Sequence, residues 1–175
     1  MPTRYIADAE HYTDVLSKVA VVKRSLWIAT ADIKDLHVAG AADRAARTVP
    51  FLEVLAGLLN RGVEVRLMHA KEPGPIFRQE FDRYPVLAAR LERVLCPRLH
   101  AKMMIFDCRE VYLGSANLTG AGIGMKSAAT RNFECGILSD EAAIVAPAMH
   151  QFDSIWMGER CRACRRRDYC GDPIV

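Results

Sequence analysis

Four polar residues that could act together on a phosphate ester lie in the run HAKMMIFDCREVYLGSAN, which starts at His100. The histidine could serve as a nucleophile or a base, and Lys102 supplies a fixed cation beside it. Ser115 and Asn117 add a hydroxyl and an amide, which can donate to phosphoryl oxygens and stabilise developing negative charge. These residue types predict chemistry on a phosphoryl group.

The spacing of these residues indicates which elements hold them. Residues two apart point to one side of a strand but to nearly opposite sides of a helix, so His100 and Lys102 form one site only in a strand. We predict a strand over 99–106, a turn at DCRE, and a returning strand that pairs Lys102 with Ser115 and His100 with Asn117. Each residue alone is more often structural, and the joint pattern favours a site because buried donors need a partner.

Two acidic residues complete the set of candidate catalytic residues. Glu134 lies in the next strand signal, and its carboxylate could hold the imidazole of His100 in the required tautomer. Asp107 begins the turn, which indicates an anchoring role more than a chemical one. Asp107 is still a candidate catalytic residue, because it lies at a fixed spacing from His100, Lys102 and Asn117.

The elements that must position these residues alternate between helices and short strands. Apolar positions at helical spacing predict helices, with a break at Pro85, over 8–22, 45–60, 77–94 and 140–156. Strands are predicted over 25–31, 63–70, 99–106, 111–115 and 131–138, and a glycine-containing loop over 119–130. This alternation is typical of an α/β sandwich with a mixed sheet.

Composition restricts the class of protein further. The chain has 175 residues, of which 51% are hydrophobic, enough for one domain with its own core. A net charge of +3 is compatible with a phosphate-bearing partner but does not demonstrate one. Apolar runs are all shorter than the roughly 18 to 20 residues that span a bilayer, and the N-terminus does not resemble a secretory signal. We therefore expect a cytoplasmic protein with reduced thiols and no stable membrane association.

The spacing His-x-Lys-x4-Asp-x6-Gly-Ser-x-Asn, from His100 to Asn117, resembles the signature of the phospholipase D superfamily. The resemblance implies a phospholipase D-like mixed β-sheet flanked by helices over 1–157, with a cysteine-rich tail over 158–175 packed on the same domain. The chain has one copy of the motif. It is therefore most similar to the short single-motif nucleases, the Nuc-like and Zucchini-like members, which form their site as homodimers.

That resemblance implies a mechanism and a role for each residue. His100 of one subunit attacks phosphorus to give a phosphohistidine, while His100 of the partner subunit protonates the leaving oxygen and later activates water. Lys102 and Asn117 of both subunits bind the phosphoryl oxygens with help from Ser115, and Glu134 orients the histidine. Catalysis needs no metal.

The leading functional expectation is a homodimeric endonuclease of low sequence specificity. Aromatic residues make up only 7% of the chain, which favours recognition of the nucleic-acid backbone over base stacking. A phospholipid phosphodiesterase is an alternative, and it predicts an apolar rim near the site. A non-catalytic module that binds phosphate or nucleic acid is another. The sequence leaves DNA and RNA both open.

A second motif lies in the tail, where Cys161, Cys164 and Cys170 follow the last predicted helix. Three closely spaced cysteines in a reducing compartment indicate a metal site. We predict Cys96 as the fourth ligand, with His150 as the alternative. The spacing resembles the [4Fe–4S] clips of some DNA-processing nucleases, and zinc fits the same thiolates. Either metal would be structural.

The tail also carries five arginines between Arg160 and Arg167. They could guide a nucleic-acid backbone beside a phosphodiester site. They could equally be a solvated face or balance the negative charge of a thiolate-bound metal. Both interpretations stay open on sequence alone.

Overall fold

The computed structural model of the protein describes residues 3–34, 36–39 and 48–171. Within these ranges the strands are β1 (Arg4–Ala7), β2 (Ser25–Thr30), β3 (His37–Ala39), β4 (Thr48–Pro50), β5 (Glu64–His69), β6 (Glu92–Leu95), β7 (Met103–Phe106), β8 (Glu110–Gly114) and β9 (Cys135–Ser139). The α-helices are α1 (Phe51–Asn60), α2 (Pro75–Phe81), α3 (Pro85–Arg90) and α4 (Ala142–Trp156). A π-helical turn (His11–Val15), a 3₁₀ turn (Leu16–Val21) and a short 3₁₀ turn (Arg167–Tyr169) complete the helical structure.

Seven strands form one mixed sheet in the order β1-β9-β8-β7-β2-β5-β6. The strands β2, β5 and β6 run parallel to one another, and every pairing from β1 to β2 across the other half of the sheet is antiparallel. The strands β3 and β4 form a separate two-stranded ladder. The prediction of an α/β fold with a mixed sheet is confirmed.

Both faces of the sheet are covered, which explains why its central strands are apolar on both sides. One face packs against α1, α2, α3 and the N-terminal helical turns, and its buried residues include Leu26, Ile28, Leu67, Met104 and Tyr112. The other face packs against α4, where Trp27 stacks on Phe152 with ring centroids 5.2 Å apart. Burial on both faces fixes the register of β7, since a slip of one residue would exchange its two apolar sets.

The β7–β8 hairpin differs from the prediction in length and in register. The strand begins at Met103, so 99–102 form an irregular segment before it. The turn has three residues instead of four, because the backbone N–H of Arg109 donates to the carbonyl of Phe106 at 3.0 Å. Phe106 therefore lies opposite Glu110, and the predicted pairing of Lys102 with Ser115 is wrong: Lys102 lies beside Gly114, whose N–H donates to the Lys102 carbonyl at 3.1 Å.

Three of the predicted helices differ from the observed elements in type, division or starting residue. The predicted helix over 8–22 is a succession of π-helical and 3₁₀ turns, and that over 77–94 divides into α2 and α3 followed by the strand β6. The start of the helix predicted over 45–60 lies partly outside the described residues; from Thr48 to Pro50 the chain is a strand, and α1 begins at Phe51. Within the described residues, none of the helices has the length and apolar character needed to cross a bilayer.

Candidate active site

The candidate residues gather at one edge of the sheet, where several strands begin or end together. Because β7 runs antiparallel to both β8 and β2, the start of β7 lies beside the end of β8 and the carboxyl end of β2. The start of β9 pairs with the end of β8 and lies at the same edge. The topology thus brings together the segments that carry His100 and Lys102, Ser115 and Asn117, and Glu134.

His100 and Lys102 contact each other directly although neither lies within a regular strand. The Nζ atom of Lys102 lies 3.1 Å from Nδ1 of His100 and donates to the His100 carbonyl oxygen at 2.8 Å. His100 is exposed, whereas Lys102 is only 9% exposed. Burial lowers the pKa of Lys102, and attraction to Glu134 opposes that change in part. An accessible imidazole thus lies against a buried ammonium group.

Asn117 is held in place by the end of β2. Its side-chain oxygen Oδ1 accepts a hydrogen bond from the backbone N–H of Asp32 at 3.2 Å and lies 3.4 Å from the hydroxyl of Thr30. The Thr30 hydroxyl also accepts from the N–H of Leu118 at 3.3 Å. Sequence reasoning missed Thr30; its only signal was its position at the polar end of an apolar strand.

Ser115 and Glu134 are joined by a short hydrogen bond from the Ser115 hydroxyl to Oε2 of the carboxylate. The other carboxylate oxygen accepts from Nδ2 of Asn132 at 3.0 Å. These two hydrogen bonds position Glu134. Its carboxylate was expected to hold the imidazole of His100, and here its donors are Ser115 and Asn132. Glu134 thus orients Ser115 and attracts Lys102 in this arrangement.

The backbone of Glu134 is fixed by Asp8, another residue that sequence reasoning missed. The N–H of Asp8 donates to the Glu134 carbonyl at 3.0 Å, and the N–H of Glu134 donates to the Asp8 carboxylate at 3.3 Å. Asp8 directly follows β1, which pairs with β9. Since β1 was not predicted, nothing in the sequence connected Asp8 with the site.

Asp107 lies at the other end of β7, five residues beyond Lys102 and away from this group. Its carboxylate accepts hydrogen bonds from the backbone N–H groups of Lys23, Arg24 and Ser25 at 3.1, 2.6 and 3.2 Å. Burial acts to raise the pKa of Asp107, but these donors outweigh it and the net pKa is below the usual value. The structure places this residue with the turn, where it ties β7 to the start of β2, and not with the other candidates.

The cysteines of the tail lie near Cys96 at the end of β6. Cys96, Cys161 and Cys164 line one cavity of about 120 Å³. The thiol of Cys170 lies 3.7 Å from the carbonyl oxygen of Leu95, the residue before Cys96. His150, the alternative ligand, is exposed on α4 and is not among the residues that line this cavity. The sequence suggested a core position for Cys135, and that prediction is wrong, because Cys135 is exposed.

The mixed sheet and the motif residues His100, Lys102 and Asn117 at one of its edges agree with the phospholipase D-like resemblance of the sequence. The family model described as "Cardiolipin synthase, PLD-like domain" matches residues 19–156, and the chain belongs to this family. The resemblance read from the motif is confirmed. None of the curated proteins matches the chain.

Solved structures share the fold at low sequence identity. NucT from Helicobacter pylori superposes with a TM-score of 0.61 and 14% identity, over 88% of this chain and 96% of NucT. Nuc from Salmonella typhimurium, described as a phospholipase D family member, gives 0.61 and 18%, over 88% and 93%. TrmBL2, an archaeal chromatin protein described with a novel mode of DNA binding, gives 0.57 and 14%, over 89% of this chain and 52% of TrmBL2. This chain thus spans about half of TrmBL2.

Proposed function

We propose that this protein is a homodimeric phosphodiesterase that cleaves nucleic acid through a phosphohistidine, without a metal ion in the reaction. The observation that carries the proposal is the contact between the exposed imidazole of His100 and the buried ammonium group of Lys102. A nucleophile needs access to substrate, and a buried cation stabilises a phosphoryl oxyanion more than an exposed one does. Membership of the PLD-like family supports the same chemistry.

In the proposed reaction, a ring nitrogen of His100 bonds to phosphorus as the bond from phosphorus to the leaving oxygen breaks. His100 of the partner subunit gives its proton to that oxygen. The partner's imidazole then takes a proton from water, which attacks phosphorus and releases His100. Lys102 and Asn117 stabilise the negative charge. The Oδ1 atom of Asn117 accepts from the N–H of Asp32, so Nδ2 is the end of the amide that donates to a phosphoryl oxygen.

Two copies of the chain are required by this chemistry. One imidazole cannot be the covalent nucleophile and the acid for the leaving group in the same step. Each chain has one copy of the motif, so a second His100 comes from a second chain. The exposure of His100 at the sheet edge is compatible with a site completed by that chain.

Two lysines near Asn117 support a nucleic-acid substrate. Lys71 and Lys34 lie 3.3 and 3.8 Å from the carboxylate of Asp32, and each side chain is 65% exposed. The backbone of Asp32 binds Asn117, so these cations flank the proposed phosphate site. A polyanion that binds several such cations would release counterions, and its affinity would fall steeply with salt.

A phospholipid is the second candidate substrate, and two exposed apolar side chains favour it. Phe133, next to Glu134, is 93% exposed, and Met125 in the neighbouring loop is 36% exposed. They provide the apolar rim that a lipid substrate would require. The family description also names a lipid enzyme. The lysines at Asp32 are the reason we rank nucleic acid first.

Cleavage assays in EDTA separate these candidates. Wild-type protein and His100→Asn are incubated with single-stranded DNA, plasmid DNA, RNA and vesicles of anionic phospholipid. Cleavage of a nucleic acid by wild type alone supports the proposal. Lipid hydrolysis alone would favour the second candidate, salt-sensitive DNA binding without turnover would favour a binding module, and equal cleavage by His100→Asn would exclude the mechanism.

A mixing experiment tests the shared site. Wild type and His100→Asn are co-expressed in equal amounts, and the activity of the mixture is compared with that of the same mass of wild type. If an active site needs both histidines, only dimers of two wild-type chains are active, about one quarter of all dimers. Independent sites would keep about one half of the activity. The oligomeric state is checked in parallel by light scattering.

A further inference from the structure

The described part of the segment after α4, residues 157–171, has no buried apolar side chain to anchor it. Every residue from 157 to 171 is half-buried or exposed, and none is buried. A segment that buries so little apolar surface does not offset the conformational entropy lost when it is ordered. Short segments of this kind are commonly held by a disulfide or a metal.

Four cysteines connect this segment to the end of β6. Cys161 and Cys164 line the cavity of about 120 Å³ together with Cys96, and the thiol of Cys170 lies 3.7 Å from the carbonyl oxygen of Leu95. We propose that Cys96, Cys161, Cys164 and Cys170 bind a metal centre with four thiolate ligands, either a zinc ion or a [4Fe–4S] cluster. Both centres take four cysteine thiolates, which is the chemistry that they share.

The remaining cysteines differ from these four in a way that supports the assignment. Cys108 and Cys135 are exposed, whereas the four proposed ligands are all half-buried. The backbone N–H of Arg166 donates to the sulfur of Cys164 at 3.4 Å, and the N–H of Cys164 donates to the Cys161 carbonyl at 3.0 Å. A backbone N–H that donates to the sulfur in this way would orient a ligating thiolate and stabilise its charge.

Positive side chains surround the same cavity. Arg98 and Arg160 line it together with Cys161 and Cys164. Four thiolates around a divalent centre carry a net negative charge, which costs free energy at a half-buried position unless cations balance it. This arrangement favours charge compensation as the role of at least these two arginines.

The ligands are not yet assembled around one point. Across residues 3–34, 36–39 and 48–171, no group of three or more histidine, cysteine, aspartate or glutamate side chains is arranged to hold an ion. The proposal therefore requires the tail thiols to turn into the cavity when the metal binds. Residues 157–171 can do so without exposing a core, because none of their apolar side chains is buried.

The metal would also steady the segment that carries His100. The N–H of Leu99 donates to the Cys96 carbonyl at 2.8 Å, and Leu99 itself lines the cavity. His100 follows directly. A metal at Cys96 would thus fix the start of the chain segment that ends at the imidazole, in a structural role that is independent of the reaction itself.

The test is metal content in the full-length protein, purified without oxygen. Zinc and iron are measured by elemental analysis, and the visible absorption spectrum separates the two centres. We expect about one zinc or about four irons per chain, the iron with the visible colour of a thiolate-bound cluster. Serine variants of Cys96, Cys161, Cys164 and Cys170 should each lose most of the metal, while Cys108→Ser and Cys135→Ser keep it.

Metal-free protein gives a second readout that does not depend on the variants folding. Removing the metal with a chelator should lower the melting temperature and speed proteolysis after Met157, and adding the metal back should reverse both. No zinc or iron in the purified protein and no binding on reconstitution would overturn the proposal. Equal metal loss in Cys108→Ser or Cys135→Ser would also overturn it.

Discussion

Ser115 donates its hydroxyl hydrogen to the carboxylate of Glu134 and accepts the backbone N–H of Cys135 at 3.0 Å. The N–H of Ser115 in turn donates to the Cys135 carbonyl at 2.9 Å. The Cys135 carbonyl is a second acceptor for the single hydroxyl hydrogen of Ser115, at 3.2 Å, but the carboxylate of Glu134 is nearer and charged and so makes the stronger bond. Ser115 acts on the site by positioning the carboxylate that attracts Lys102, and it is a positioning residue in this arrangement.

Ser115→Ala should lower kcat more than it raises KM. Without the hydroxyl, Glu134 loses one of its two side-chain donors and moves relative to Lys102, and small displacements in an active site cost up to about 100-fold in rate. We expect kcat to fall about 10- to 100-fold on a phosphodiester substrate, with KM within about twofold of wild type. Ser115→Thr, which keeps the hydroxyl, should restore most of the rate. A large rise in KM at unchanged kcat would show instead that Ser115 binds substrate directly.

The buried position of Lys102 should set the alkaline limit of activity. Because burial lowers its pKa, Lys102 loses its charge at a lower pH than the ordinary lysine value of 10.5. As pH is raised, activity that depends on this cation should therefore begin to fall before pH 10.5 is reached. Lys102→Arg keeps a charge that does not titrate, so any residual activity of this variant should extend to higher pH. If wild-type activity stayed constant as the pH was raised to 10.5, the assignment would be contradicted.

The same burial should make Lys102 costly for stability. The unfolded chain holds the lysine proton to a higher pH than the folded chain does, so stability rises with pH between the folded pKa and 10.5. Below that window the buried charge is destabilising. Lys102→Met should raise the free energy of unfolding at neutral pH by about 1 kcal/mol while abolishing activity, as for other functional groups kept at a cost. Lys126→Met, in an exposed position, is the matched control and should leave stability unchanged.

Asp107 should be required for folding stability more than for the reaction. Its carboxylate accepts three backbone N–H bonds, so Asp107→Ala should cost about 2 to 3 kcal/mol of unfolding free energy, measured by denaturant titration. Asp107→Asn keeps one acceptor oxygen and should recover part of the loss. Because the folded pKa is lowered, the stabilisation is complete above the unfolded value of 3.8 and lost as pH falls through the folded pKa. A folded Asp107→Ala protein with strongly reduced kcat would contradict this role.

The alternation of β7 could be predicted from sequence, but its pairing with β8 could not. Met104 and Phe106 do share one face and Met103 and Ile105 the other. The turn was predicted one residue too long because Asp107 and Cys108 both adopt left-handed backbone, with φ of 53° and 55°. Neither residue signals that conformation as glycine would.

The one-residue error reverses the two faces of β8, yet the site residues still come together. Tyr112 lies opposite Met104, where the four-residue turn would have placed Leu113. The error in register does not change the positions of Ser115 and Asn117, because both lie beyond the end of β8. Ser115 is positioned by β9 and Asn117 by the end of β2. The motif indicated His100, Lys102, Ser115 and Asn117, but it also included Asp107, which lies at the other end of β7. Contacts between distant strands determine how the other four are held.

The strands β1 and β6 were missed for a different reason. β1 has four residues and only Ile6 is fully buried, so it leaves little pattern in the sequence. β6 continues directly from α3, and its apolar residues extend the helical spacing of 77–94. Both are edge strands, stabilised by pairing with β9 and β5 rather than by a strong local pattern.

Gly114, the glycine of the motif, should be irreplaceable because of Tyr112. A Cβ atom at Gly114 would lie 2.6 Å from Cζ of the buried Tyr112 ring and 2.8 Å from the carbonyl oxygen of Cys135. The ring is fully buried and the carbonyl belongs to a paired strand, so neither can move freely. Gly114→Ala should therefore lower the free energy of unfolding by about 1 to 3 kcal/mol.

A matched substitution separates this clash from a general intolerance of alanine. Gly57 lies inside α1, where a new Cβ would make only an ordinary contact, 3.6 Å from the Arg61 side chain. Gly57→Ala should stabilise the protein by about 0.5 to 1 kcal/mol, because alanine favours the helix. Adding Tyr112→Leu to Gly114→Ala should cost less than the two single changes added together, since the ring that clashes is gone. Additive losses in denaturant titrations of the four proteins would show that Tyr112 is not what requires a glycine at position 114.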